Sequence, residues 1–242
     1  MTNAADQSVR VLVTGFGPFP TIPHNASASL ALALANSPAA PGLEIATAII
    51  PVVWASARAT AWRAVVRFQP HAVLHFGVSK RAFGFEIETR AFNMSGPRED
   101  RAGVVRPERP LVQRGKPVLM STLPPLDLLR ALTEDGLPAA LSEDAGRYLC
   151  NALFYWSLHD GQSDGRLVSF VHMPALDAEV EVEPRLTMEE AVAGARILIR
   201  ASAEAVLRAR EDVLKRGGSI GHGSQALYRD GRSGCLAGGS DG

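Results

Sequence analysis

Short apolar runs recur along this chain and alternate with longer stretches of helical periodicity. Residues 9–14 (VRVLVT) are mostly apolar and stop at Gly15, which predicts a buried strand closing in a turn. The loop GFGPFPTIPHN follows. Residues 26–36 then read as a helix, with Asn25 as N-cap and Ser37-Pro38 as its stop. Residues 43–53 are apolar and partly β-branched, a strand bent at Pro51. Trp54, Ala57, Ala61, Val65 and Phe68 fall at helical spacing and predict a helix over 54–68. After Pro70, HAVLHFG at 71–77 reads as another buried strand.

The second half is less regular. Residues 85–93 alternate as an extended segment or hairpin, and 94–115 are polar and rich in Pro, Gly and Arg, a long surface loop. A strand is expected at 117–122, a helix at 125–132, a helix at 148–159 and a strand at 167–173. Residues 187–215 form a long helical pattern whose opening, Thr187 followed by Glu190, fits a capping box. From Gly217 on the chain is rich in Gly and Ser with few apolar positions, which predicts a disordered tail.

Strands separated by helices predict the α/β class. The expected architecture is a single-domain open three-layer α/β/α sandwich on a twisted, largely parallel or mixed sheet. The domain would span residues 1–216 and the tail 217–242. In such a fold the functional site lies at the carboxyl ends of the strands, where Gly15, Gly77, Asn93 and Met173 fall.

Composition narrows the function classes. The 242 residues are 46% hydrophobic and 21% charged, a globular rather than a disordered balance. Formal net charge is zero, so nothing points to a nucleic-acid partner. No apolar core of a signal peptide opens the sequence, and no 18-residue apolar run occurs; the chain reads as cytoplasmic and without a membrane partner. Its two cysteines, Cys150 and Cys235, would there be thiols.

Candidate chemistry comes down to a few positions. Gly15-Phe-Gly-Pro-Phe is not a dinucleotide fingerprint, because Pro18 and Phe19 stand where bare backbone would be needed. None of the three lysines follows a Gly-rich run, so a phosphate loop is also missing. His71 and His75 share a strand face but lack a third ligand nearby, and read as structural. Cys150 sits early in a helix, where the dipole and free amides favour a thiolate and could hold an oxyanion. His172, near a strand end, could serve as its base. Glu86 and Glu88 both qualify as the orienting acid; they share a strand face, and periodicity does not choose between them.

Four motifs in order carry a resemblance: VLVTGFGPF at 11–19, HFG with FEIETRAFN at 75–93, GRYLCN at 146–151 and FVHMP at 170–174. Together they resemble the pyroglutamyl peptidase I, or pyrrolidone-carboxylate peptidase, family of cysteine exopeptidases, over roughly residues 9–210. The resemblance implies Cys150 as nucleophile, His172 as general base and Glu88, rather than Glu86, as the orienting acid. It implies Arg98 near the oxyanion or substrate, Phe16 and Phe19 as walls for the pyrrolidone ring, and Asn25 as support for their loop. Substrates would be N-terminally pyroglutamylated peptides, with no cofactor and no metal. Members include monomers and homotetramers, so a homo-oligomer is allowed. Against the family pattern, Thr89 stands at a usual Arg, Arg147 at a common Leu, and Val78 at a Gln of some members; residues 94–103 lack the usual Asp-Asn before Gly. These departures bear on rate and specificity. The alternatives are a related thiol amidase for another small acyl group and a non-catalytic binding protein on the same fold.

Overall fold

The computed structural model describes residues 8–19, 22, 24–36, 40–176 and 186–215. The expected tail and Cys235 lie outside the described residues. Contacts divide the chain into units of residues 1–208 and 209–242. The first holds every described strand; of the second, only the end of the last helix is described.

The elements run β1 (Val9–Phe16), α1 (Ala26–Ala35), β2 (Leu43–Ile50), α2 (Ala57–Phe68), β3 (Ala72–Ser79), β4 (Phe85–Glu88), β5 (Arg90–Phe92), β6 (Val118–Met120), α3 (Pro125–Glu134), β7 (Ala139–Ser142), α4 (Leu149–Gly161), β8 (Leu167–Pro174) and α5 (Met188–Lys215). Six strands form one sheet in the order β2-β1-β3-β8-β4-β7, and β5 pairs with β6 in a small second sheet. The four strands β2, β1, β3 and β8 are parallel. β4 lies antiparallel to β8 and carries β7 parallel to itself, so the sheet is mixed.

Alternation along each strand sorts side chains to two faces. Val9, Val11 and Val13 of β1, Leu74 and Phe76 of β3, and Val171 and Met173 of β8 share one core with Leu30 and Leu34 of α1, Leu128 and Leu132 of α3, and Leu198 of α5. Leu12, Val73, Val168 and Phe170, the alternate positions, share the other core with Ala57 and Ala61 of α2 and Leu149, Leu153 and Trp156 of α4. This gives the expected helix–sheet–helix layering. Helix α4 is buried on nearly every side, as its run of apolar residues requires.

Local signals explain most boundaries. The Asn25 side chain accepts from the Ser27 amide at the start of α1, and Thr187 and Glu190 exchange the hydrogen bonds of a capping box at the start of α5. Three differences from the expected elements have physical causes. Helix α2 starts at Ala57 rather than Trp54, whose amide instead donates to the buried Asp100 carboxylate at 2.7 Å. Residues 85–93 are not a hairpin but two strands in different sheets. The change occurs at Thr89, whose amide donates to Ser142 O while its carbonyl accepts from Ser121. Residues 139–142 form β7, a half-exposed edge strand that no pattern in the sequence marks.

The two histidines of the β3 region are structural. His71 accepts the Arg10 amide through Nδ1. His75 is wholly buried, with Nδ1 2.7 Å from Thr14 Oγ1 and Nε2 2.7 Å from Ser157 Oγ. Burial, helped by the charge of Arg166, lowers its pKa to about 3. A depressed folded-state pKa means the stabilisation is full above about pH 6.5 and is lost as pH falls toward 3. The window is worth up to about 5 kcal/mol. His75→Gln keeps hydrogen-bonding capacity without a titrating ring. Its urea midpoint should therefore drop less than the parent's between pH 7 and 4; equal drops would assign the acid sensitivity elsewhere.

Candidate active site

The parallel strands end on one side of the sheet, and α4 begins there. Tyr148 holds extended backbone, and the helix starts immediately after it. Cys150 is therefore the second helical residue, in the turn whose amides have no intrahelical acceptor. The adjacent Asn151, fully buried, fastens this end of the helix. Its Oδ1 accepts from the Phe92 amide at 2.8 Å, and its Nδ2 donates to the carbonyls of Phe92 at 2.9 Å and Met94 at 3.0 Å.

His172, near the end of β8, lies on the sheet face that carries α4. Cys150 lies close enough for its thiol to act on the ring, and His172 Nδ1 lies 2.7 Å from Glu88 Oε1. A carboxylate only accepts, so Nδ1 carries the proton. Burial alone would lower the His172 pKa. Hydrogen bonds to Cys150 and Glu88, and the charges of the same two groups, outweigh it and push the value up to about 10. The imidazolium form is thus held at neutral pH beside the thiol. Gly77 leaves the room for this contact: a Cβ there would sit 2.8 Å from the Phe170 ring and 3.2 Å from Cys150 Sγ.

Glu86 and Glu88, equivalent by strand periodicity, differ in the folded sheet. Glu86 pairs directly with His172 across the antiparallel β4–β8 ladder, and Glu88 pairs with Phe170. Yet the hydrogen bond to His172 comes from Glu88, the more buried of the two. Among the described residues, none hydrogen-bonds the second oxygen, Glu88 Oε2. Glu86 is half-buried, and burial raises its pKa. Glu86, Glu88 and His172 each bring a potential ligand atom within 4.8 Å of the others.

These groups open into a cleft of about 660 Å³, within the usual range of small-molecule sites. Phe16, Phe19, Asn25, Arg98, Cys150 and His172 all line it. The sequence-predicted residues are therefore brought together. Phe16 is buried against Phe170, with ring centroids 6.4 Å apart. Asn25 does support the loop: its Nδ2 donates to Gly17 O at 3.1 Å, and its Oδ1 accepts from Ser27, whose hydroxyl accepts the Phe16 amide. The Arg98 guanidinium lies 5.6 Å from the Phe19 ring and 4.9 Å from that of Tyr148.

Two contributors were not visible in the sequence. Tyr148 forms a cleft wall, and burial pushes its pKa up to about 12, so it stays a neutral donor to Glu99 O at 2.9 Å. Asp100 ties the 94–115 loop together, accepting from the amides of Trp54, Ala102 and Val104. An Asp that accepts from amides two to four residues on is a local turn signal, but the bond to Trp54 spans 46 positions and leaves none. Among the departures, Thr89 Oγ1 donates to Ser142 O, Arg147 pairs with Asp144 and lies over Phe92, and Val78 faces the cleft.

Comparison with known proteins points to one family. A family model described as pyroglutamyl peptidase matches residues 9–205. A pyrrolidone-carboxylate peptidase of Vibrio vulnificus is 33% identical over 214 residues, covering 87% of this chain and 99% of its own. One from Pyrococcus furiosus is 28% identical, covering 82% of this chain and all of its own. The structure of a mutant pyrrolidone carboxyl peptidase from Pyrococcus furiosus superposes with a TM-score of 0.77 at 27% identity, over 81% of this chain and 99% of that one.

Proposed function

The chain belongs to the pyroglutamyl peptidase family of enzymes, and from that premise we propose that Cys150, His172 and Glu88 act as a catalytic triad releasing N-terminal pyroglutamate from peptides. One observation carries the reading. A thiol in the first turn of a helix stands beside an imidazole whose Nδ1 is 2.7 Å from a buried carboxylate, at the edge of an aromatic-walled cleft.

Pyroglutamate is a small, flat, uncharged lactam. Phe16 and Phe19 offer it apolar surface, and backbone groups of the cleft meet its ring N–H and C=O. The Cys150 thiolate attacks the pyroglutamyl carbonyl. The free amides at the start of α4 stabilise the oxyanion, with Arg98 assisting. His172, charged in the resting site, donates its proton to the leaving amine. The neutral imidazole then takes a proton from water, which hydrolyses the thioester. Glu88 holds the ring in the required tautomer throughout. A cytoplasmic site of action suits a free catalytic thiol, which a reducing compartment keeps unoxidised.

The purified protein should release aminomethylcoumarin from its pyroglutamyl amide and leave the prolyl and alanyl amides intact. Turnover of a different acyl amide in preference to the pyroglutamyl one would overturn the substrate assignment.

A further inference from the structure

The triad accounts for Cys150, His172 and one oxygen of Glu88. It leaves two polar features of the same corner without a task. Glu88 Oε2 is buried and, among the described residues, has no hydrogen-bond partner. A buried carboxylate oxygen left this way costs free energy unless something fills the position. Beside it stands a second carboxylate, Glu86, brought opposite His172 by the β4–β8 register.

We propose that Glu86, Glu88 and His172 form a binding site for a zinc-class divalent cation, on the carboxylate side of the imidazole and separate from the thiol. The three ligand atoms lie within 4.8 Å of one another. Tetrahedral zinc with bonds of about 2.0–2.2 Å needs ligands about 3.3–3.6 Å apart. His172 Nδ1 and Glu88 Oε1, 2.7 Å apart across their shared proton, must open as the proton leaves, and closing the longer separations falls to Glu86, the most exposed of the three and the one with room to turn. One imidazole and two carboxylates select zinc-like ions over magnesium or calcium, which favour all-oxygen shells. Three protein ligands leave the fourth position to water.

The placement separates this site from ordinary capture of metal by a thiol. Nδ1 of His172 faces Glu88, so the ring nitrogen toward Cys150 is the other one. An ion bound between Nδ1 and the two carboxylates displaces the proton held there to solvent and lies across the ring from sulfur. It would block turnover by replacing the Glu88–His172 hydrogen bond. That inhibitory consequence rests on the triad reading above; the binding does not.

The test is zinc chloride titrated by calorimetry, without substrate, into Cys150→Ser protein that also carries Cys235→Ser, so that neither thiol capture nor activity enters. One ion should bind, at least about 100-fold tighter than magnesium. Adding Glu86→Gln, a near-isosteric change, should weaken zinc tenfold or more, with far-ultraviolet circular dichroism confirming that the resulting variant folds. A loss of less than tenfold, or no zinc binding by Cys150→Ser, overturns the proposal. Either result leaves the triad assignment standing. Conversely, a Cys150→Ser protein that binds zinc as described yet keeps full peptidase activity would refute the triad and not the metal site.

Discussion

Cys150→Ser should lower kcat for the pyroglutamyl amide by about 10⁴-fold or more while leaving the fold intact. The size reflects what the site does to a thiol and cannot do to an alcohol. The surroundings of Cys150 are an imidazolium and the free amides of a helix start, both of which favour negative charge on sulfur. A serine hydroxyl ionises so much less readily that the same surroundings leave it protonated. The fold should be indifferent, because α4 is held by Leu149, Leu153, Phe154 and the Asn151 hydrogen bonds rather than by the half-buried sulfur. Thermal unfolding of the variant checks this directly. The His172→Ala single and the double variant should lose about as much as Cys150→Ser alone, since the groups act as one unit. Activity within tenfold of the parent would remove Cys150 from the nucleophile's role.

The second large effect is on stability. Gly15→Ala should destabilise by about 4 kcal/mol or more, or prevent folding. An added Cβ at Gly15 would lie 2.0 Å from Ser27 O, 2.4 Å from its carbonyl carbon and 2.9 Å from Ala28 N. These are backbone atoms, and no rotamer change relieves them. Nor can α1 withdraw cheaply, because Asn25 and Ser27 bind its first turn to Gly17 O and the Phe16 amide. The close approach of β1 to α1 is what sets the Phe16–Phe19 loop over the cleft. Gly17→Ala serves as the control: its nearest contact would be 3.7 Å, ordinary packing distance. It should cost little in the same urea titration. Equal midpoints for both variants would show that the β1–α1 contact yields.

Much of this was legible in the residues, for identifiable reasons. β1, β3 and β8 are central strands covered on both faces, so they read as apolar runs. The caps of α1 and α5 are local hydrogen bonds between near neighbours, which short motifs encode. The unreadable parts depend on distant partners. β7 is an edge strand whose residues are half-exposed, so neither alternation nor an apolar run marks it. The split of residues 85–93 between two sheets is decided at Thr89 by Ser142 and Ser121, far along the chain. Glu86 and Glu88 are equivalent by period; the resemblance alone separates them in the sequence, and the hydrogen bond that distinguishes Glu88 depends on the folded sheet.

That ladder also bears on the order in which the protein becomes competent. The Glu88–His172 contact joins residues 84 positions apart, and it bridges the strand pair where direction reverses against the parallel set. Local turns and helices can form without it, but loop closure on that scale is a late and entropically costly event. Glu88 and His172 therefore meet only once β8 has docked between β3 and β4. A chain with most of its helices in place would still hold Glu88 and His172 apart. Peptidase activity is in this sense a report on long-range closure, arriving after the secondary structure that surrounds it.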